Sequence, residues 1–146
     1  MIKHIVFLIA YIYFLYTDMK ERKIELKALA VYAIIALITL GLTRDTITTS
    51  KLVDIMFSVA FGLVIYFLSY FSSEGIGLAD GMYFVINGLL LTLKENIVLF
   101  LTGLLVAFVI GIFLYYFGNA NSRTEPRLPF LPCFIPAILG YILCIV

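Results

Sequence analysis

The chain has 146 residues, 64% of them hydrophobic and 13% charged, with a formal net charge of +1. Soluble chains keep about a quarter of their residues charged so that their surfaces stay wet, so this composition excludes a soluble domain. The near-neutral balance and the lack of a long basic run give no electrostatic case for nucleic acid.

A spanning helix needs about 20 apolar residues, somewhat fewer where the bilayer thins or flanking groups snorkel. By that measure the chain predicts an all-α, polytopic membrane protein with six transmembrane helices, near 2–17, 27–43, 52–71, 80–93, 96–117 and 129–146. The first run has the length of a signal-peptide core. Thr17-Asp18-Met19-Lys20 follows it where a cleavage site would need small residues, so it reads as a retained span.

The fourth run is too short to cross comfortably from Met82 onward. Its helix is expected to begin near Leu78 or Asp80, inside the membrane's edge, which draws Asp80 inward. The last run carries Pro132 and Pro136 just after Pro126 and Pro129, which implies a kinked start whose freed carbonyls need neighbours. It also holds Cys133 and Cys144, which lack metal-ligand spacing and read as small packing residues. The connections MKERKIELK, TRDTITTSK, FSSEGIGL, KEN and GNANSRTEPRL leave no room for a soluble domain, so residues 1–146 are expected to form a single transmembrane unit.

Lys20, Arg22, Lys23, Lys27, Arg123 and Arg127 fall on one side, and Lys3, Arg44, Lys51 and Lys94 on the other, which favours the first side as cytoplasmic. Asp18 ends the first span and Asp80 begins the fourth. The second and third spans lie between them, so both carboxylates belong on the cytoplasmic face at similar depth. Asp54 begins the third span on the opposite face, with Asp45 in the loop before it, and neither can join the pair.

Two aspartates that share a site cannot both ionise cheaply, so one proton is held between them. Such a pair can activate a water and protonate a leaving amine, which is peptide hydrolysis of the aspartic type. If the first helix ends at Asp18, the helix dipoles favour the anion at Asp80 over that at Asp18. Gly75 and Gly77 precede Asp80; they suit a loop whose backbone approaches another chain or takes positive φ, or they simply separate two spans. Glu21, Glu25 and Glu74 share the pair's face and are candidates for substrate contact, or are solvated loop charges. His4 reads as a capping or interfacial residue, and Tyr11, Tyr13, Tyr16, Tyr115 and Tyr116 as packing and interface anchors.

Gly77-Leu78-Ala79-Asp80 resembles the GxGD signature of membrane aspartic proteases, with the small residue Ala79 at its third position. TDMKERKI, residues 17–24, resembles the other catalytic block of the type IV prepilin peptidases. LPFLPCFIPAILGYIL, residues 128–143, is similar to that family's last-helix pattern, and Gly88 falls where the family places a glycine. The resemblance implies that Asp18 and Asp80 are the catalytic pair, with Gly75, Gly77 and Ala79 in the active-site loop. It further implies that the substrate is the basic leader of a pilin-like precursor in type IV pilus assembly and protein secretion, cut at the cytoplasmic membrane face. No metal or cofactor is required by this chemistry, and a water-accessible pocket is expected there. The likeness is to a short, peptidase-only form without the N-terminal methyltransferase region. Two departures stand out: Met82 replaces the family's lysine two residues after the second aspartate, and Glu25-Leu26 replaces its Pro-Asn. Met82 supports the alternative, a catalytically silent membrane scaffold or transporter subunit.

Overall fold

A computed structural model describes residues 2–21, 24–43, 48–71, 77–117 and 131–145. These form six α-helices: α1 (Ile2–Glu21), α2 (Leu26–Leu42), α3 (Thr49–Phe71), α4 (Leu78–Leu90), α5 (Leu93–Phe117) and α6 (Ile135–Ile145), the last entered through a 3-10 turn at Leu131–Phe134. Strands are absent among the described residues. α1, α3 and the Leu93–Tyr116 stretch of α5 are long and apolar enough to cross a membrane; α2, α4 and the Leu131–Leu143 segment are apolar but shorter. The protein is thus an all-α membrane protein, with six α-helices among the described residues.

The helices turn few side chains inward. α1 buries Phe7, Tyr11, Phe14 and Asp18, spaced four, three and four residues apart along one stripe. Its Ile5, Ile9, Ile12, Tyr13 and Tyr16 point outward. Lipid tails are as apolar as these side chains, so leaving them outside costs nothing, and the helices must associate by close packing and hydrogen bonds instead.

The closest packing joins α3 to α4. A methyl group placed on Gly62 would meet the Phe84 carbonyl and the Val85 backbone at 2.6 Å. One on Gly81 would lie 2.7 Å from Tyr66 Cα, and one on Gly88 would lie 2.7 Å from the Val59 nitrogen. These contacts are backbone to backbone, so no side-chain shift relieves them. Ser58 and Ser69, buried on the same face of α3 as Gly62, complete a seam of small residues of the kind that lets helices touch in lipid.

α4 is the element that the rest surrounds. It buries Gly81, Tyr83, Phe84, Ile86, Asn87, Gly88 and Leu90, which is most of its circumference. At 13 residues it is about 20 Å long, against a hydrocarbon core of about 30 Å. It starts at Leu78, as its sequence leads one to expect, but stops at Leu90, three residues before the predicted end at 93. The Leu91 amide closes it on the Asn87 carbonyl (2.8 Å).

A capping box then opens α5. The Thr92 amide and hydroxyl both donate to Glu95 Oε2 (2.8 Å each), and the Glu95 amide reaches back to Thr92 Oγ1 (3.4 Å). α5 therefore starts at Leu93, ahead of the predicted 96, because its polar capping residues extend the helix beyond the apolar run; α3 starts at Thr49, ahead of the predicted 52, by the polar residues Thr49, Ser50 and Lys51. Asn96, one residue past the box and fully buried, ties α5 to the seam. Its Nδ2 donates to the Ser58 carbonyl (3.4 Å), to Ser58 Oγ (3.2 Å) and to the Phe84 carbonyl (3.3 Å).

The last helix is shorter than predicted. It is preceded by the 3-10 turn containing Pro132, and the Phe134 ring of that turn rests on Gly103 of α5 and 5.5 Å from the Phe84 ring. Cys133 is buried there, as a packing residue should be. Pro126, Pro129 and the charges Arg22, Lys23, Arg44, Asp45, Arg123 and Arg127 lie outside the described residues, as does the side chain of Cys144.

Gly62→Ala and Gly88→Ala are expected to destabilise the protein by about 1–3 kcal/mol each, the usual cost of overpacking. Gly111→Ala, at a position with nothing within 4 Å of the added methyl, should be neutral or stabilising by up to about 1 kcal/mol, as alanine favours a helix over glycine. Unfolding in mixed detergent micelles checks this; equal effects at the three sites would contradict the seam.

Candidate active site

α1 does not end at Asp18. Met19, Lys20 and Glu21 are good helix formers and carry it three residues further. Asp18 is therefore a buried group on the inner stripe, and the expected contrast between one aspartate at a helix C-terminus and another at an N-terminus loses its premise.

Asp80 sits in the first turn of α4. Gly77 caps that turn: its carbonyl accepts from the Asp80 amide (3.0 Å) and the Gly81 amide (3.2 Å). Gly77 has φ −65° and ψ 143°, an extended conformation open to any residue. What the position requires is the missing side chain, because a methyl there would lie 3.0 Å from Asp80 Oδ2. Positive φ, one of the expectations for this glycine, is not used.

Ring contacts bring the two aspartates to one level. The Phe14 ring of α1 meets the Tyr83 ring of α4 edge to face, with centroids 5.6 Å apart. Asp18 follows Phe14 by about one turn, and Asp80 precedes Tyr83 by about one turn, on helices that run in opposite directions. Both therefore lie just beyond this contact, at the same end of the bundle, and Asp80 feels the charge of Asp18. Tyr32 of α2 closes the group, 5.6 Å from the Phe14 ring and stacked 6.0 Å from that of Tyr83. The three rings and two carboxylates thus draw on three helices.

A fourth segment of the chain reaches Asp18. The Leu131 amide, at the start of the 3-10 turn, donates to Asp18 Oδ2 (3.1 Å), and the Tyr11 hydroxyl donates to the Leu131 carbonyl (3.1 Å). Beneath the rings the Tyr32 hydroxyl donates to Asn87 Oδ1 (2.8 Å). Asn87 Nδ2 and the Tyr83 hydroxyl, both fully buried, make no well-formed bond to a described residue.

The other candidates separate cleanly. Glu21 and Glu25 are exposed and flank the α1–α2 connection, at the Asp18 end. Ala79 is half-buried against the core, and Met82 is 39% exposed. Glu74 and Gly75 lie outside the described residues. Asp54 is remote: Gly81 packs on Tyr66, and Asp54 lies about 18 Å further along α3 at 1.5 Å per residue. Its Oδ1 accepts from the Leu93 amide (3.4 Å). His4 is likewise at that far end, where its Nδ1 meets the Tyr141 hydroxyl of α6. Of the tyrosines, Tyr13, Tyr16, Tyr115 and Tyr116 are exposed, whereas Tyr11 is buried and hydrogen-bonded.

Two cavities stand out among the described residues. An apolar groove of about 510 Å³ runs between α1 and α2, bordered by Phe14 and Tyr32, and a polar one of about 460 Å³ lies at the far end among Lys3, Lys51, Asp54 and Glu95. Neither is lined by Asp18 or Asp80, so neither is the water-accessible pocket expected at the pair. Among the described residues, no three His, Cys, Asp or Glu side chains converge as metal ligands would.

A sequence model of the type IV leader peptidase family matches residues 5–115. The chain belongs to the type IV leader peptidase family. No curated protein and no solved structure matches it. Membership gives it a leader-peptidase-like function in general and, with its apolar helices, the character of a membrane protease. The matched stretch contains both Asp18 and Asp80 and stops short of the turn whose Leu131 amide reaches Asp18.

Tyr11, Tyr32, Asn87 and Leu131 are the site residues that sequence reasoning missed. For Tyr11 a signal existed: it shares the helical stripe of Phe7, Phe14 and Asp18. For Leu131 none did, since its contribution is a backbone amide.

Tyr32→Phe is expected to cost about 1–3 kcal/mol by leaving the buried Asn87 side-chain oxygen unpaired. In an Asn87→Leu background the same change should cost markedly less, because the partner is gone. Unfolding in detergent measures both; equal costs in the two backgrounds would show that the pair is not coupled.

Proposed function

We propose that this member of the type IV leader peptidase family is an aspartic endopeptidase that removes the basic leader peptide of pilin-like precursors at the cytoplasmic membrane face. Asp18 and Asp80 act as general base and acid. The reading is supported above all by the approach of these two aspartates, from two helices, at one end of the bundle.

The chemistry follows from the pair. One carboxylate takes a proton from a water molecule as the water oxygen attacks the scissile carbonyl carbon. The other carboxyl gives its proton to the amide nitrogen as the carbon–nitrogen bond breaks. One proton enters the pair and one leaves it, so the pair ends as it began. No step calls for a metal or cofactor.

Several local features suit this task. Gly77 leaves Asp80 uncrowded, so an extended backbone can approach its carboxylate. Glu21 and Glu25 are exposed beside the same end, where their charges would attract a basic leader. Met82, at the start of the second turn of α4, is a neutral neighbour where the resemblance to prepilin peptidases implies a lysine. A precursor helix must unwind before its backbone reaches the pair, because helical amides are already hydrogen-bonded and hidden.

Asp18→Asn and Asp80→Asn should each abolish processing of a precursor with a basic leader and an apolar stem, while the variants still insert and purify like the parent. Mass spectrometry of the products in proteoliposomes reads the outcome. Normal cleavage by either variant would sink the assignment.

A further inference from the structure

We propose that Tyr11 is a positioning residue for Asp18, acting through the backbone of Leu131, so that the start of the last helix is a built part of the active site. The inference rests on the assignment of Asp18 to catalysis.

Tyr11 and Asp18 lie two turns apart on the inner stripe of α1, and between them they hold both polar ends of one residue. The Tyr11 hydroxyl donates to the Leu131 carbonyl and the Leu131 amide donates to Asp18 Oδ2, each at 3.1 Å. Tyr11 is 3% exposed and Leu131 fully buried, so water is a poor substitute for either bond. Interface anchoring, the ordinary role of a membrane tyrosine, does not fit a side chain this enclosed.

The residues around Leu131 hold it in place. Pro132 fixes its own φ, and the Phe134 ring of the same turn is seated on Gly103 of α5. A donor held from so many sides can set the direction of a carboxylate, and a general base works only when its oxygen points at the proton it removes. The Asp18 carboxylate is bound through Oδ2, so its rotation about the Cβ–Cγ bond is limited by an amide that Tyr11 keeps in register. The family match ends at residue 115, so this contribution from residue 131 lies beyond the matched stretch.

Four variants of the full chain in proteoliposomes test this against a pilin-like precursor. Tyr11→Phe should lower kcat by about fivefold to tenfold, the worth of one hydrogen bond, with KM within about twofold. Leu131→Ala loses packing but keeps the amide. Leu131→Pro loses the amide too, at the first position of a helical turn where proline's fixed φ is tolerated, and should fall about tenfold further in kcat than Leu131→Ala. Wild-type kcat in Tyr11→Phe, or equal kcat in the two Leu131 variants, would overturn the proposal. Asp18→Asn separates the two levels: if it still cleaves, the catalytic reading has failed. If it is inactive while Tyr11→Phe is fully active, only the positioning role has failed. Should Leu131→Pro not insert, Tyr11→Phe beside Asp18→Asn still decides.

Discussion

The backbones of α3 and α4 touch, and the candidate site depends on that contact. In water two apolar helices are driven together by the area they hide, but in lipid that force is absent and shape must replace it. Gly62, Gly81 and Gly88 let the helices approach until any added methyl would strike backbone. Gly81 follows Asp80 directly, so the contact that fixes α4 against Tyr66 also fixes the height of Asp80. From α4 the alignment passes to α1 through the Phe14 and Tyr83 rings, and from there to Asp18. A short, nearly enclosed helix is thus the reference against which the carboxylates are set.

Polar groups hold this arrangement from the sides. Asn96 binds the seam across from α5, Tyr32 binds Asn87 from α2, and Leu131 reaches Asp18 from the turn before α6. Hydrogen bonds between membrane helices contribute modestly, about 0.6 kcal/mol on average, so their value here lies in selecting one register among many of similar energy. The bundle is held by small residues and buried amides, some of them directly beside the two aspartates. On the proposed reading, the half-buried Asp80 is left to meet a substrate backbone.

Much of this was legible in the sequence. Run lengths were enough to predict six apolar helices, because lipid demands about 20 residues from each. Counting the spans between Asp18 and Asp80 put them on one face, and the shortness of the fourth run placed its start near Leu78. Other features were hidden for physical reasons. Hydropathy marks where lipid begins, not where a helix ends, so the continuation of α1 through Met19-Lys20-Glu21 and the early start of α5 at its Thr92-Glu95 box went unseen. Tyr11 looked like one of five membrane tyrosines until its stripe with Phe14 and Asp18 set it apart. The roles of Gly62, Asn96 and Leu131 needed three-dimensional contacts, since nothing along the chain says which backbone will lie opposite.

The central claim is that the reaction takes place between the last turns of α1 and the first turn of α4. The most direct test is photo-crosslinking of the intact protein in proteoliposomes. The probe is a pilin-like precursor whose scissile amide is replaced by an uncleavable methyleneamine, with a benzophenone on the adjacent residue. Adducts are predicted on residues 14–21 and 77–83. Adducts confined to the far end, around Asp54 and Glu95, would contradict it.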